Sequence, residues 1–139
     1  MKGRVLAVDY GSRRLGVAVS DPLRMLARER ATLSNDTTVL DSLLEIIHSD
    51  EVTLILVGMP YAPDGGMGRA GQEVQRFIDR LSERTDVPVT TWDESHSTRK
   101  AQQLLIEAGM KQSRRRRREK LDEVAARIML QEFLDASGS

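Results

Sequence analysis

Arg4-Val5-Leu6-Ala7-Val8-Asp9-Tyr10-Gly11-Ser12, continued after two arginines by Leu15-Gly16-Val17-Ala18-Val19-Ser20, sets two apolar runs on either side of a glycine turn. A gap this short suits an antiparallel hairpin and cannot hold a crossover, so the runs are expected to pair as neighbouring strands. The first run ends on a carboxylate. At the mouth of a buried strand, an ionised Asp9 without a partner would cost several kcal/mol. The position therefore asks for a cation or a dense set of donors, and Asp9 is a candidate metal ligand or phosphate-facing group.

Outward from this hairpin, Met25-Leu26-Ala27-Arg28-Glu29-Arg30-Ala31-Thr32 follows the Asp21-Pro22 turn and reads as a third, more polar edge strand, although its composition would also tolerate a helix. Val39, Leu40, Leu43, Leu44, Ile46 and Ile47 recur at three and four, which predicts a helix over residues 37–49 with Asn35 and Asp36 as caps. Thr53-Leu54-Ile55-Leu56-Val57-Gly58-Met59-Pro60 is continuously apolar, as expected of a strand buried on both faces and stopped by proline. Breakers at Asp64-Gly65-Gly66 precede a second amphipathic helix over residues 70–84, marked by Val74, Phe77, Ile78 and Leu81. Val87-Pro88-Val89-Thr90-Thr91-Trp92 is the fifth strand and ends in Asp93-Glu94; Ser95-His96-Ser97-Thr98 can then cap a helix through Ala101, Leu104 and Leu105. A last helix over residues 120–136 carries Leu121, Val124, Ala125, Ile128, Met129 and Phe133 on one face, with Asp122 in its first turn. The expected architecture is α/β: a three-strand antiparallel meander plus two parallel strands in one mixed sheet, flanked by about four helices, in one domain spanning the 139 residues.

Composition narrows the chemistry. Lys and Arg (21) balance Asp and Glu (21), so polyanion binding must rest on local clustering rather than net charge. No cysteine is present, which removes disulfides, zinc-thiolate sites and thiol nucleophiles and suits a reducing cytosol. No apolar run approaches the ~18 residues of a membrane span, so a soluble cytoplasmic protein is the expectation.

Right-handed crossovers would make the first, fourth and fifth strands parallel, and ligands of such sheets collect beyond the carboxyl ends of those strands. Asp9 and Asp93-Glu94 sit at such ends, and a terminal helix packed across the sheet can bring Asp122 to the same edge. Carboxylates at that density repel one another and call for a divalent cation, and an oxygen-only donor set favours Mg²⁺ or Mn²⁺ over zinc. The blander readings are a turn or capping role for each strand-end acid and a helix-dipole role for Asp122. Basic residues gather on the same stretches. Arg114, Arg115, Arg116, Arg117 and Arg118 run consecutively between Lys111 and Lys120, in the connection before Asp122, while Arg13, Arg14, Arg99 and Lys100 are expected along the same edge. Such guanidiniums beside a phosphodiester site would act through phosphates, and the few aromatics (Trp92, Tyr10, Tyr61, Phe77, Phe133) argue against a base-stacking platform.

Four motifs in order, Leu6-Ala7-Val8-Asp9-Tyr10-Gly11-Ser12-Arg13-Arg14-Leu15-Gly16-Val17-Ala18, then Val57-Gly58-Met59-Pro60 with Asp64-Gly65-Gly66 and Gly68, then Asp93-Glu94, then Leu121-Asp122-Glu123-Val124-Ala125-Ala126-Arg127-Ile128-Met129-Leu130-Gln131, resemble the YqgF/RuvX family over nearly the whole chain. The resemblance implies a ribonuclease H-like fold and a nuclease of Holliday junctions or of precursor 16S rRNA. It also implies catalytic acids at Asp9, Glu94 and Asp122, and products with a 5′-phosphate and a 3′-hydroxyl. The family usually continues its third motif as Asp-Glu-Arg-Leu-Thr, whereas this chain has Ser95 and His96 after Glu94, so a positive side chain is missing. His96 is the candidate replacement as phosphate contact or proton donor, beside its plain reading as a capping residue.

In a two-metal site the ions lie ~3.5–4 Å apart, one activating water and one stabilising the leaving oxygen. Asp9 would bridge them, Glu94 and Asp122 would complete one shell each, and Asp93 would be a ligand or a support. Nucleic acid, as structured RNA or branched DNA, is the expected partner, with the chain a monomer or a homodimer. Two readings from other classes stand beside this one: an RNA- or ribosome-binding module without catalysis, and an actin-like nucleotide-binding protein, whose phosphate hairpin Asp9-Tyr10-Gly11-Ser12 also resembles.

Overall fold

The computed structural model describes residues 2–61, 66–93 and 114–137, with the side chains of 114, 115 and 117–119 outside the description. The chain runs β1 (Arg4–Tyr10), β2 (Arg14–Ser20), β3 (Ala27–Ser34), α1 (Val39–Ser49), β4 (Val52–Met59), α2 (Arg69–Ser82), β5 (Val89–Asp93) and α3 (Arg114–Ser137). The sheet order is β3-β2-β1-β4-β5; β1 pairs antiparallel with β2 and parallel with β4, β2 pairs antiparallel with β3, and β4 pairs parallel with β5. This is the mixed five-stranded sheet expected from the sequence, with three helices among the described residues. The helix expected through Ala101, Leu104 and Leu105 lies outside them.

Side-chain alternation in β1 and β4 splits the core into two layers. Leu6, Val8, Ile55, Val57 and Met59 meet α1 and α2 on one face, with Leu43, Ile47, Val74, Phe77 and Leu81. Val5, Ala7, Ala18 and Leu56 meet α3 on the other, against Ala126, Met129, Leu130 and Leu134. Ala7 and Ala18 on the sheet and Ala126 on the helix are the small side chains of this layer, among larger ones. Edge strand β3 alternates between partly buried and exposed positions and carries Arg28 and Arg30 on its solvent side, the charge pattern that discourages edge pairing.

Boundaries shift by a residue or two in α2, β4 and β5, and three other differences have a visible cause. β3 starts two residues late because Asp21 organises the turn before it: its Oδ1 accepts from the N–H groups of Met25 and Leu26, both at 2.8 Å. Those bonds, Leu26 first, hold the Asp21 carboxyl below its ordinary value. α1 starts at Val39, because Asp36 accepts from Thr38 N–H at 2.9 Å and Thr38 Oγ1 at 2.6 Å in an Asx turn outside the helix. The largest correction concerns the arginine run. It is not in a connection: residues 114–118 are the first turns of α3, because arginine is a good helix former and the run is continuous with the apolar stripe from Leu121. Asp122 is consequently in the third turn rather than the first, too far along for the helix dipole to account for it.

Phe77 is fully buried and its ring lies 4.9 Å from that of Tyr10, the residue after Asp9. Phe77→Ala is expected to lower the unfolding free energy by ~3–5 kcal/mol, read from urea denaturation midpoints.

Candidate active site

Val5 and Ala7 point from β1 toward α3, so alternation puts Asp9 on that same face. Its partner across the β1–β2 ladder is Gly16, which shares the face because directly paired residues do. Gly16 is where α3 comes closest. A Cβ built there would stand 2.0 Å from the carbonyl oxygen of Asp122 and 3.1 Å from its Cα, which no side chain tolerates. Glycine inside an apolar strand thus admits the backbone of α3. Asp9 and the main chain of Asp122 are thereby brought to either side of one residue.

Arg14 lies two positions before Gly16 on the same face. Its Nε donates to Asp122 Oδ2 at 2.7 Å, with the two side chains 30% and 24% exposed. The rotation of α3 is held from the β3 side, where Glu29 accepts from Lys120 Nζ and, at 3.3 Å, from Arg127 Nε, the residues flanking Asp122 along the helix. Gln131 extends that seam: its side chain accepts from Ala27 N–H at 2.9 Å and donates to the Met25 carbonyl at 3.1 Å. The hairpin tip is fixed by Asn35, whose Nδ2 donates to the Gly11 carbonyl and whose backbone N–H donates to that of Arg13, both at 2.8 Å. Arg13 projects from this tip, exposed and with no side-chain partner among the described residues.

Asp93 is not brought to this face. It pairs in register with Met59, whose side chain belongs to the α1 and α2 layer, while Trp92 before it packs edge-on against Phe133 of α3 at 5.7 Å. Asp93 is exposed at the end of β5. Glu94, His96, Arg99, Lys100 and Lys111 lie outside the described residues, as do the side chains of Arg114, Arg115, Arg117 and Arg118; Arg116 is exposed. Among the described residues no three acidic or histidine side chains gather around one point. Asp9 and Asp122, set about Gly16, offer hard carboxylate oxygens, a donor type that suits Mg²⁺ or Mn²⁺ and gives nothing that zinc would prefer.

Glu29 and Gln131 are not distinguished in the sequence, because polar residues in an edge strand and a helix read as solvated, and Asn35 reads there as a helix cap rather than as the residue that ties down the hairpin tip. Gly16 did carry a signal, as a lone glycine in an apolar strand.

Residues 3–136 match the RuvX family, described as Holliday junction resolvase. A protein of Roseiflexus sp. named "Putative pre-16S rRNA nuclease" is 42% identical over 136 residues, covering 96% of this chain and 95% of its own. A relative of the same name from Halothermothrix orenii is 41% identical, over 95% of this chain and 94% of its own. Among solved structures, Thermus thermophilus RuvC in complex with Holliday junction substrate superposes with a TM-score of 0.57 at 15% identity, covering 99% of this chain and 96% of that one. Fowlpox virus resolvase with Holliday junction DNA gives 0.60 at 11% identity, over 98% and 99%. At those identities the two structures speak for the ribonuclease H-like fold alone.

Gly16→Ala drives a methyl group into helix backbone that cannot swing aside. It is expected to cost ~1–3 kcal/mol or more of stability and to displace Asp122, seen as a lowered thermal midpoint together with lost nuclease activity.

Proposed function

The chain belongs to the RuvX family, and from that premise we propose that it is a metal-dependent endonuclease that cuts structured nucleic acid through Asp9, Glu94 and Asp122. It is a hydrolase of phosphodiester bonds; precursor 16S rRNA and the four-way DNA junction are the two substrates that the names of the family and its relatives suggest. The observation that carries the reading is the placement of Asp9 and Asp122 on one sheet face about Gly16. Divalent cations bound there would lower the pKa of an attacking water and stabilise charge on the leaving oxygen. The chain's own part is to hold the carboxylates still. Gly16 sets the depth of α3, Glu29 sets its rotation, and the β1–β2 ladder fixes Asp9. Glu94 belongs to this reading as the third donor, and His96 as an auxiliary proton donor.

Substrate binding rests on the arginines at the start of α3 and on Arg13 at the hairpin tip. The run at 114–118 is helical, and arginines there would recognise the backbone through phosphates rather than read bases. A junction substrate would further require a two-fold dimer presenting two sites. No described helix is long and apolar enough to cross a membrane, and we place the enzyme with its nucleic-acid substrates in the cytoplasm.

Wild type and Asp9→Asn are to be compared on end-labelled junction, duplex and precursor-rRNA substrates with Mg²⁺ or Mn²⁺. Losing one ligand of the metal site removes several kcal/mol of transition-state stabilisation, so cleavage should fall by at least ~10³-fold on the true substrate. Metal-dependent cutting retained by Asp9→Asn would refute the assignment. Replacing Arg114 to Arg118 together by Gln should weaken binding across all sequences and flatten the plot of log affinity against log salt, by up to ~0.9 for each phosphate that is no longer neutralised. An unchanged slope removes the run from the interface.

A further inference from the structure

Arg14 was expected to touch substrate, yet its guanidinium is held by one of the two acids that share the site face. The contact is short, 2.7 Å from Nε to Oδ2, and both side chains are about three-quarters enclosed, with exposures of 30% and 24%. Arg14 and Gly16 lie two residues apart on the same face of β2, so the guanidinium is delivered along the strand to the point where α3 crosses it. Asp9 lies across the ladder from Gly16 and the main chain of Asp122 rests on it, so two like charges are carried to one part of the sheet, where a cation such as the Arg14 guanidinium relieves their repulsion. Mg²⁺ or Mn²⁺ at the same place would need the Asp122 oxygen directly, at ~2.0–2.1 Å for Mg²⁺, and would repel a guanidinium on that oxygen.

We infer that Arg14 is a built-in counter-ion of Asp122 which a divalent cation displaces, and that the released guanidinium then contacts a substrate phosphate, coupling metal and nucleic-acid binding. The inference rests on the metal reading of the Asp9 and Asp122 pair. It gives Arg14 two acceptors in succession, the carboxylate of Asp122 and a phosphate oxygen, both of which a planar guanidinium fork engages well. Arg13, the preceding residue in the hairpin turn, is exposed, with no side-chain partner among the described residues. Arg14 acts through Asp122 on the cation and is in that respect a positioning residue.

The test is Mn²⁺ affinity, read from the electron-spin resonance of the free ion, for wild type, Arg14→Gln, Arg14→Lys, Asp9→Asn and Asp122→Asn, each with and without a duplex oligonucleotide. Removing the competing cation should make Arg14→Gln bind Mn²⁺ ~10-fold tighter than wild type in the absence of nucleic acid. A merely structural arginine would move affinity the other way. The duplex should tighten Mn²⁺ binding to wild type and should do so less for Arg14→Gln, because the guanidinium that links the two ligands is gone. Lysine keeps the charge and loses the fork, so Arg14→Lys should gain a smaller factor, ~2- to 3-fold, and this variant carries the test if Arg14→Gln does not fold. Affinity equal to or below wild type in the folded Arg14 variants, with Mn²⁺ binding lost in Asp122→Asn, overturns the counter-ion role and leaves the metal site standing. Wild-type affinity in both Asp9→Asn and Asp122→Asn overturns the metal site and the counter-ion with it.

Discussion

One close approach governs this molecule: the backbone of α3 at Asp122 rests on Gly16, where a single additional carbon atom would collide with a carbonyl oxygen. The helix is otherwise carried by an apolar seam of Val5, Ala7, Ala18 and Leu56 against Ala126, Met129, Leu130 and Leu134. Ala18 and Gly16 alternate along β2 beneath the helix, and at Gly16 the separation reaches its limit. Packing at this density transmits displacement rather than absorbing it. The distance between the acid on β1 and the acid on α3 is thus a property of the sheet as much as of either side chain.

Polar contacts then fix what packing leaves free. A helix lying on a sheet can roll about its axis, and Glu29 prevents this by taking a cation from each side of Asp122. Both members of each pair are partly exposed, where single ion pairs contribute ~0–1 kcal/mol. Their effect lies in orientation, since two donors a little under two helical turns apart on one carboxylate define an angle that neither defines alone. Asn35 does the same for the hairpin tip, replacing backbone pairing that the turn cannot make with side-chain and main-chain bonds to Gly11 and Arg13.

Much of this was legible in the residues. Alternation and apolar runs gave all five strands in their sheet relationships, because β1 and β4 are buried on both faces and announce it by composition. Two acids stand out in the residues: Asp9 ends a buried strand, and Asp122 lies near the start of the last helix's apolar stripe. The arginine run misled, since a block of like charge suggests a loop although arginine prefers helix. Asp93 misled for a different reason. A strand end fixes which edge a residue occupies, but its face depends on register, and pairing with Met59 turns it toward the other layer. The partnership of Arg14 with Asp122 joins residues 108 apart in sequence, and no local pattern encodes it.

Gln131 reaches past the end of the ladder and bonds the N–H of Ala27 and the carbonyl of Met25 as a neighbouring strand would. The start of β3 is a free sheet edge in topology but not in chemistry, because an amide side chain has filled the groups that another chain's strand would seek. α3 therefore serves as an edge guard. A strand from a second copy would find that corner of the sheet already bonded, so edge-to-edge zippering is discouraged there.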